Sequence, residues 1–217
     1  MIMVYETACK LFLDAKHLLS SEFNINVYEV KASAYSYEQS ELLSKLGIEH
    51  QSIINFSTTN KNELVKYYGC SKDVKAWVTY FIANDLTHHA AVFIIDDFLF
   101  ESDRDDSSEE SEIEDVYICK YISLLHEFGH VKDFLNQQHI RYADNKPSVD
   151  LVRSEAFADN FALRKMKNSS EPLVKYARKI MAKSVIKRKH ENDFYRQVYM
   201  ETIKLFNEKK LVQWAES

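Results

Sequence analysis

Apolar residues along this chain change rhythm near its middle. Before about residue 100 they come in short, mixed runs; after about residue 116 they recur at three- and four-residue steps, the spacing of helices. Val4 to Ser21 reads as an amphipathic helix with Leu11, Ala15, Leu18 and Leu19 on one side. Asn26 to Ser33 alternates loosely and predicts a short strand; Tyr37 to Leu46 suits a helix ended by Gly47. Gln51 to Ser57, with Ile53, Ile54 and Phe56, predicts another strand, and Lys61 to Asn84 reads as mostly helical. His89 to Phe100 is the strongest strand pattern, since Val92 to Ile95 are β-formers. It could be an edge strand that lines up an extended substrate, or a central core strand.

The segment Glu101 to Asp115 holds one apolar residue, Ile113, too little to offset the entropy of ordering, so a mobile surface loop is expected there. Four helices should follow: Val116 to Gln138, Val149 to Lys167 after a start at Pro147 and Ser148, Glu171 to Lys189, and Asp193 to the end. The expected fold class is α+β, in one domain over 1–217. Its parts would be a mixed half with a small sheet (1–100), the acidic loop (101–115) and a helical half (116–217).

Composition narrows the reading further. Only 3 Gly and 2 Pro in 217 residues leave few sharp turns, which favours long helices. The net charge of -5 argues against nucleic acid as a partner of the whole surface. The charge is unevenly spread, however. Leu163 to His190 carries ten Lys or Arg against one Glu, whereas Glu101 to Asp115 carries nine acids against one Arg. Cys9, Cys70 and Cys119 form no close pair, and the longest clean apolar stretch, Ala90 to Ile95, is far too short to cross a membrane. A cytoplasmic protein without a membrane partner is expected.

The chemistry concentrates in His126-Glu127-Phe128-Gly129-His130, which fits H-E-x-x-H. Residues four apart lie one turn above each other on a helix, so two imidazoles placed this way can share one zinc ion. Glu127, one step round the helix, points elsewhere and can act as general base on an activated water. The preceding run, Val116 to Leu125, is apolar almost all round and predicts a buried helix. Gly129 sits mid-helix, where Gly costs roughly 1 kcal/mol; close approach of another backbone would explain it.

A third ligand must come from another segment. The metzincin pattern would need Gly at 133 and His at 136, where the chain has Asp133 and Asn136. On the next helix, Glu155 shares a face with Leu151, Ala158 and Ala162, so it should point inward, where a carboxylate calls for a cation. Asp159, one turn on, can accept the second ring N–H of a ligating histidine. An oxyanion-stabilising donor could be His139, Tyr142, Tyr117, His88 or His89, among which the sequence does not choose. The basic stretch 163–190 supports a rival reading: a non-catalytic module that binds protein or nucleic acid and uses zinc structurally.

HEFGH followed by E-x-x-A-D-x-F-A resembles the gluzincin arrangement and, more narrowly, the ImmA/IrrE-type metallopeptidases, whose second helix carries E-x-x-A-N-x-F-A. Glu155, Ala158, Phe161 and Ala162 match that pattern position by position. Asp159 stands where that family usually has Asn, and matches the E-x-x-x-D of other gluzincins. The resemblance covers about Tyr117 to Leu163. It implies a zinc peptidase with His126, His130 and Glu155 as ligands and Glu127 as general base. Its substrate would be a protein or peptide, such as a repressor-like regulator.

Overall fold

The computed structural model describes residues 2–30, 53–54, 76–82, 88–95, 109–143 and 146–217. Among these the fold is α+β, with a helical C-terminal half. The chain divides into two compact units, Met1–Leu124 and Leu125–Ser217.

In the first unit, helix α1 (Ile2–Phe23) precedes a four-stranded sheet of β1 (Asn26–Val30), β2 (Ile53–Ile54), β3 (Ala76–Ile82) and β4 (His88–Ile95), in the order β1-β4-β3-β2. Strand β4 runs parallel to β1 and antiparallel to β3, so it is an interior strand and not the edge that could take up an extended peptide. Ala90 to Ile94 are all buried, so the side chains on both faces of this strand are covered. Tyr28, Phe93 and Trp77 occupy directly opposed positions on three neighbouring strands. The Phe93 ring stacks on Tyr28 at 5.3 Å and on Trp77 at 4.9 Å. Such cross-strand aromatic pairs hold the register.

Ala76 to Ile82 lies inside the segment whose pattern reads as helical, and it is a strand. Trp77, Val78, Thr79, Tyr80 and Phe81 are β-branched or aromatic, and pairing with β4 rewards that preference. Residues 61–75 and the expected helix Tyr37 to Leu46 lie outside the described residues. Along α1 the buried side is Ala8, Phe12 and Leu19, while Leu18, expected on it, is 63% exposed.

Helix α2 (Glu109–Leu135) begins seven residues before Val116 and takes in part of the segment expected to be a loop. Glutamate is a strong helix former, so the buried helix that follows can extend back through Glu109, Glu110, Glu112 and Glu114. Residues 101–108 lie outside the described residues. Neither Cys9 nor Cys119 is in a disulfide.

In the second unit α2 ends in a turn. Gln137, in the left-handed region with φ 50°, donates through its amide to the Phe134 carbonyl at 2.7 Å and accepts from the Tyr142 N–H at 2.7 Å. A hairpin follows, β5 (Ile140–Ala143) with β6 (Lys146–Val149). Pro147 therefore sits in a strand, paired with Tyr142, and does not open the next helix. That role falls to Asp150, whose carboxylate accepts from the Arg153 N–H at 3.2 Å and caps α3 (Leu151–Met166). Helix α4 (Pro172–Lys187) is capped by Glu171, and a 3-10 turn, Arg188–His190, leads on from it. The final stretch is two helices and not one: α5 (Asp193–Leu205) and α6 (Glu208–Glu216), each with an asparagine cap. Phe206, between them, is buried with its ring 5.2 Å from that of Trp214. Among the described residues no helix is long and apolar enough to cross a membrane.

Candidate metal centre

Helix α2 carries His126, Glu127 and His130; helix α3 carries Ser154, Glu155 and Asp159. What lets the two meet is Gly129. A Cβ at that position would lie 2.5 Å from the Cα of Ala158 and 3.0 Å from its carbonyl oxygen, too close for any side chain. The two backbones therefore touch at Gly129 and Ala158, which brings the histidines of α2 within reach of the carboxylates of α3. The close approach that the glycine predicts is thus present.

The histidine Nε2 atoms are 3.2 Å apart. His126 Nε2 is 3.3 Å from Glu155 Oε2, and His130 Nε2 is 3.4 Å from Glu155 Oε1. Two donors at about 2.0–2.1 Å from one ion, subtending a tetrahedral angle, stand about 3.3–3.4 Å apart. His126, His130 and Glu155 are thus close enough to hold a metal ion between them.

The other ring nitrogens are also engaged. Nδ1 of His126 is 3.0 Å from Oδ1 of Asp159, a carboxylate with no exposed surface. A carboxylate only accepts, so a proton on Nδ1 suits this approach, and a neutral ring so protonated keeps its lone pair on Nε2. Nδ1 of His130 is 2.9 Å from the hydroxyl of Ser154, which can accept from it in the same way. With both rings neutral and protonated at Nδ1, two lone pairs and a carboxylate would face one another. Such an arrangement repels itself until a cation fills it.

The electrostatics agree. Burial works against a charged His126, but hydrogen bonds and charges from Asp159 and Glu155 outweigh it and push its pKa up to about 10. Burial likewise raises Glu155, yet His130 and His126 hold it well below the usual carboxylate range. In the absence of a metal, a proton on His126 supplies the positive charge the site attracts. Burial raises Glu127; His130 and His126 pull it back down, and Glu155 adds to the rise.

Every residue expected to ligate or to orient a ligand is therefore in one cluster, with Glu127 within its electrostatic reach. The sequence offers five donors for an oxyanion. His139 lies beside the buried Asp133, 3.2 Å from its carboxylate, with its ring 5.9 Å from that of Phe157. Tyr142 belongs to β5; within the first unit, Tyr117 packs near Phe12, and His88 and His89 begin β4.

Three participants escaped the sequence: Ser154, Arg188 and Thr202. Oδ2 of Asp159 accepts from the Arg188 guanidinium, and Thr202 Oγ1 is 3.5 Å from the same oxygen. Ser154 could have been found, since it precedes Glu155 on an inward-facing turn. Arg188 gave no signal within the run Lys187-Arg188-Lys189-His190. Comparison with family models, curated proteins and solved structures found no match to this chain.

Proposed function

We propose that this protein is a zinc-dependent peptidase of the gluzincin kind, akin to the ImmA/IrrE-type metallopeptidases. The observation that carries the reading is the convergence of the two Nε2 atoms and the Glu155 carboxylate at 3.2–3.4 Å, with Nδ1 of one ring beside Asp159 and that of the other beside Ser154. His126, His130 and Glu155 would hold the ion. Two imidazoles and one carboxylate make a donor set suited to zinc, and three protein ligands leave a position open, the mark of catalytic over structural sites. When bound, zinc supplies Lewis acidity, polarising a carbonyl and lowering the pKa of water.

The chain's own residues do the rest. Asp159 and Ser154 hold the two imidazoles in orientation, so that both Nε2 atoms face one point. Glu127 stands one residue from His126 and leaves the helix about 100° away from it, so it is free of the ligand set. It takes a proton from the attacking water as the carbonyl carbon–oxygen bond forms. It then delivers that proton to the amine nitrogen as the peptide bond breaks. The substrate class is a protein or peptide, with a repressor-like regulator the reading that the resemblance implies. A cytoplasmic setting goes with it.

Glu127→Gln tests this. The variant should bind zinc as the wild type does and lose about 10²–10⁴-fold in hydrolysis. In a pull-down from the native host it should hold intact a protein that the wild type cuts. Capture of the same intact partner by both forms, or of nucleic acid alone at low salt, would replace the peptidase by a non-catalytic binding module.

A further inference from the structure

Asp159 has no exposed surface, and its two oxygens face different groups. Oδ1 lies toward the His126 ring and Oδ2 toward Arg188. The Thr202 hydroxyl also lies near Oδ2, but its single proton is given to the Val198 carbonyl at 2.9 Å, and 3.5 Å is the far limit of a hydrogen bond. Arg188 is therefore the group that holds Oδ2 of this carboxylate. It comes from the 3-10 turn between α4 and α5, and its guanidinium lies 5.9 Å from the Tyr195 ring centre. Its neighbours Lys187, Lys189 and His190 are all exposed; Arg188 alone in this run turns inward.

We propose that Arg188 is a positioning residue of the metal site, acting through Asp159 to aim His126. The inference rests on the reading of His126, His130 and Glu155 as metal ligands. An imidazole whose Nε2 donates to a metal is neutral, so it cannot neutralise Asp159. The permanent charge that does so must come from elsewhere, and a guanidinium never gives its proton up. The contact is made by one guanidinium nitrogen, Nη1, on one oxygen, and a delocalised, weakly hydrated guanidinium suits such a buried pair better than an ammonium would. The chain of contacts runs from Arg188 to Asp159 Oδ2 and from Asp159 Oδ1 to Nδ1 of His126, 3.0 Å away, whose Nε2 would hold the ion. A corner 29 residues beyond Asp159 in sequence thereby sets how well a histidine on another helix can bind.

Zinc affinity of the full chain, measured by competition with a chelator and with circular dichroism to check folding, tests the proposal. Arg188→Gln should weaken zinc about tenfold, the lower end of what loss of an orienting partner costs. Arg188→Lys should fall between it and the wild type. In cobalt-loaded protein the d–d absorption bands of Arg188→Gln should shift, which a merely structural role would not produce. Arg188 also lies within electrostatic reach of Glu155, but its hydrogen bond is to Asp159, so the double variant Asp159→Asn/Arg188→Gln should bind zinc little more weakly than Asp159→Asn alone.

Unchanged affinity in folded Arg188→Gln, or a full further loss in the double variant, overturns the proposal. Should Arg188→Gln fail to fold, the double variant, which leaves no unpaired charge, decides by the same comparison with Asp159→Asn. If the wild type takes up no zinc or cobalt, the metal reading itself fails and this inference falls with it.

Discussion

The centre of β4 and the middle of α3 are equally buried and are made of opposite materials. From Ala90 to Ile94 the strand buries only apolar side chains. The helix buries Ser154, Asp159 and Asn160 among its alanines, with the half-buried Glu155 beside them. Apolar burial needs no direction: any well-packed neighbour will serve, and the gain grows with area. Buried polar groups each need a particular partner, because an unmet one costs roughly 2–7 kcal/mol. Ser154 faces His130, Asp159 faces His126 and Arg188, and Asn160 accepts from Arg164 at 3.2 Å. Three of those contacts lead to one place, the gap between His126, His130 and Glu155. Where a helix buries charge with its partners so arranged, the arrangement marks a candidate site, whereas the apolar strand marks a core.

The largest expected effect tests the strand side of this contrast. Phe93→Ala removes a fully buried ring held between Tyr28 and Trp77. Urea denaturation of the zinc-free protein should show a loss of about 3–5 kcal/mol. A loss under about 1 kcal/mol would mean that the aromatic row is not a structural centre.

The next effect belongs to the helix side. Zinc present at about 100 times its dissociation constant should stabilise the wild type by about 2.7 kcal/mol, read as a rise in the thermal midpoint. Glu155→Ala should abolish that rise while remaining folded. If the variant keeps the full rise, Glu155 is not a ligand.

The last effect is finer. Asp159→Asn should stay folded and bind zinc about 10–100-fold more weakly. Chelator competition measures it. Unaltered affinity would make Asp159 a packing residue, and the contrast between strand and helix would then rest on the ligands alone.

Sequence reading reached further at the site than in the sheet, and the reason is range. His126, Glu127 and His130 lie within one and a half turns, so helical geometry alone places them together. Gly129 marked a close contact because nothing else explains a glycine in a buried helix interior, and Glu155 betrayed its direction through its apolar neighbours. By contrast, Ala76 to Ile82 reads as helix or strand until its partner is known. The position of β4 inside the sheet depends on β1, which precedes it by more than 50 residues. The pairing of β5 with β6 is not legible in the sequence, because Pro147 and Ser148 serve a helix start as readily as a strand.

By itself, then, the sequence determined the α+β class, the helix bearing the two histidines, the glycine contact and the inward carboxylate of the next helix. Each of these follows from spacing along one element or from the cost of a residue in its local setting. The tertiary structure alone decided that β4 is interior, that Ser154 meets His130, and that Arg188 leaves a solvated basic run to hold Asp159. Those depend on which distant segments meet, and a charge or a β-branched run is compatible with many partners until packing selects one.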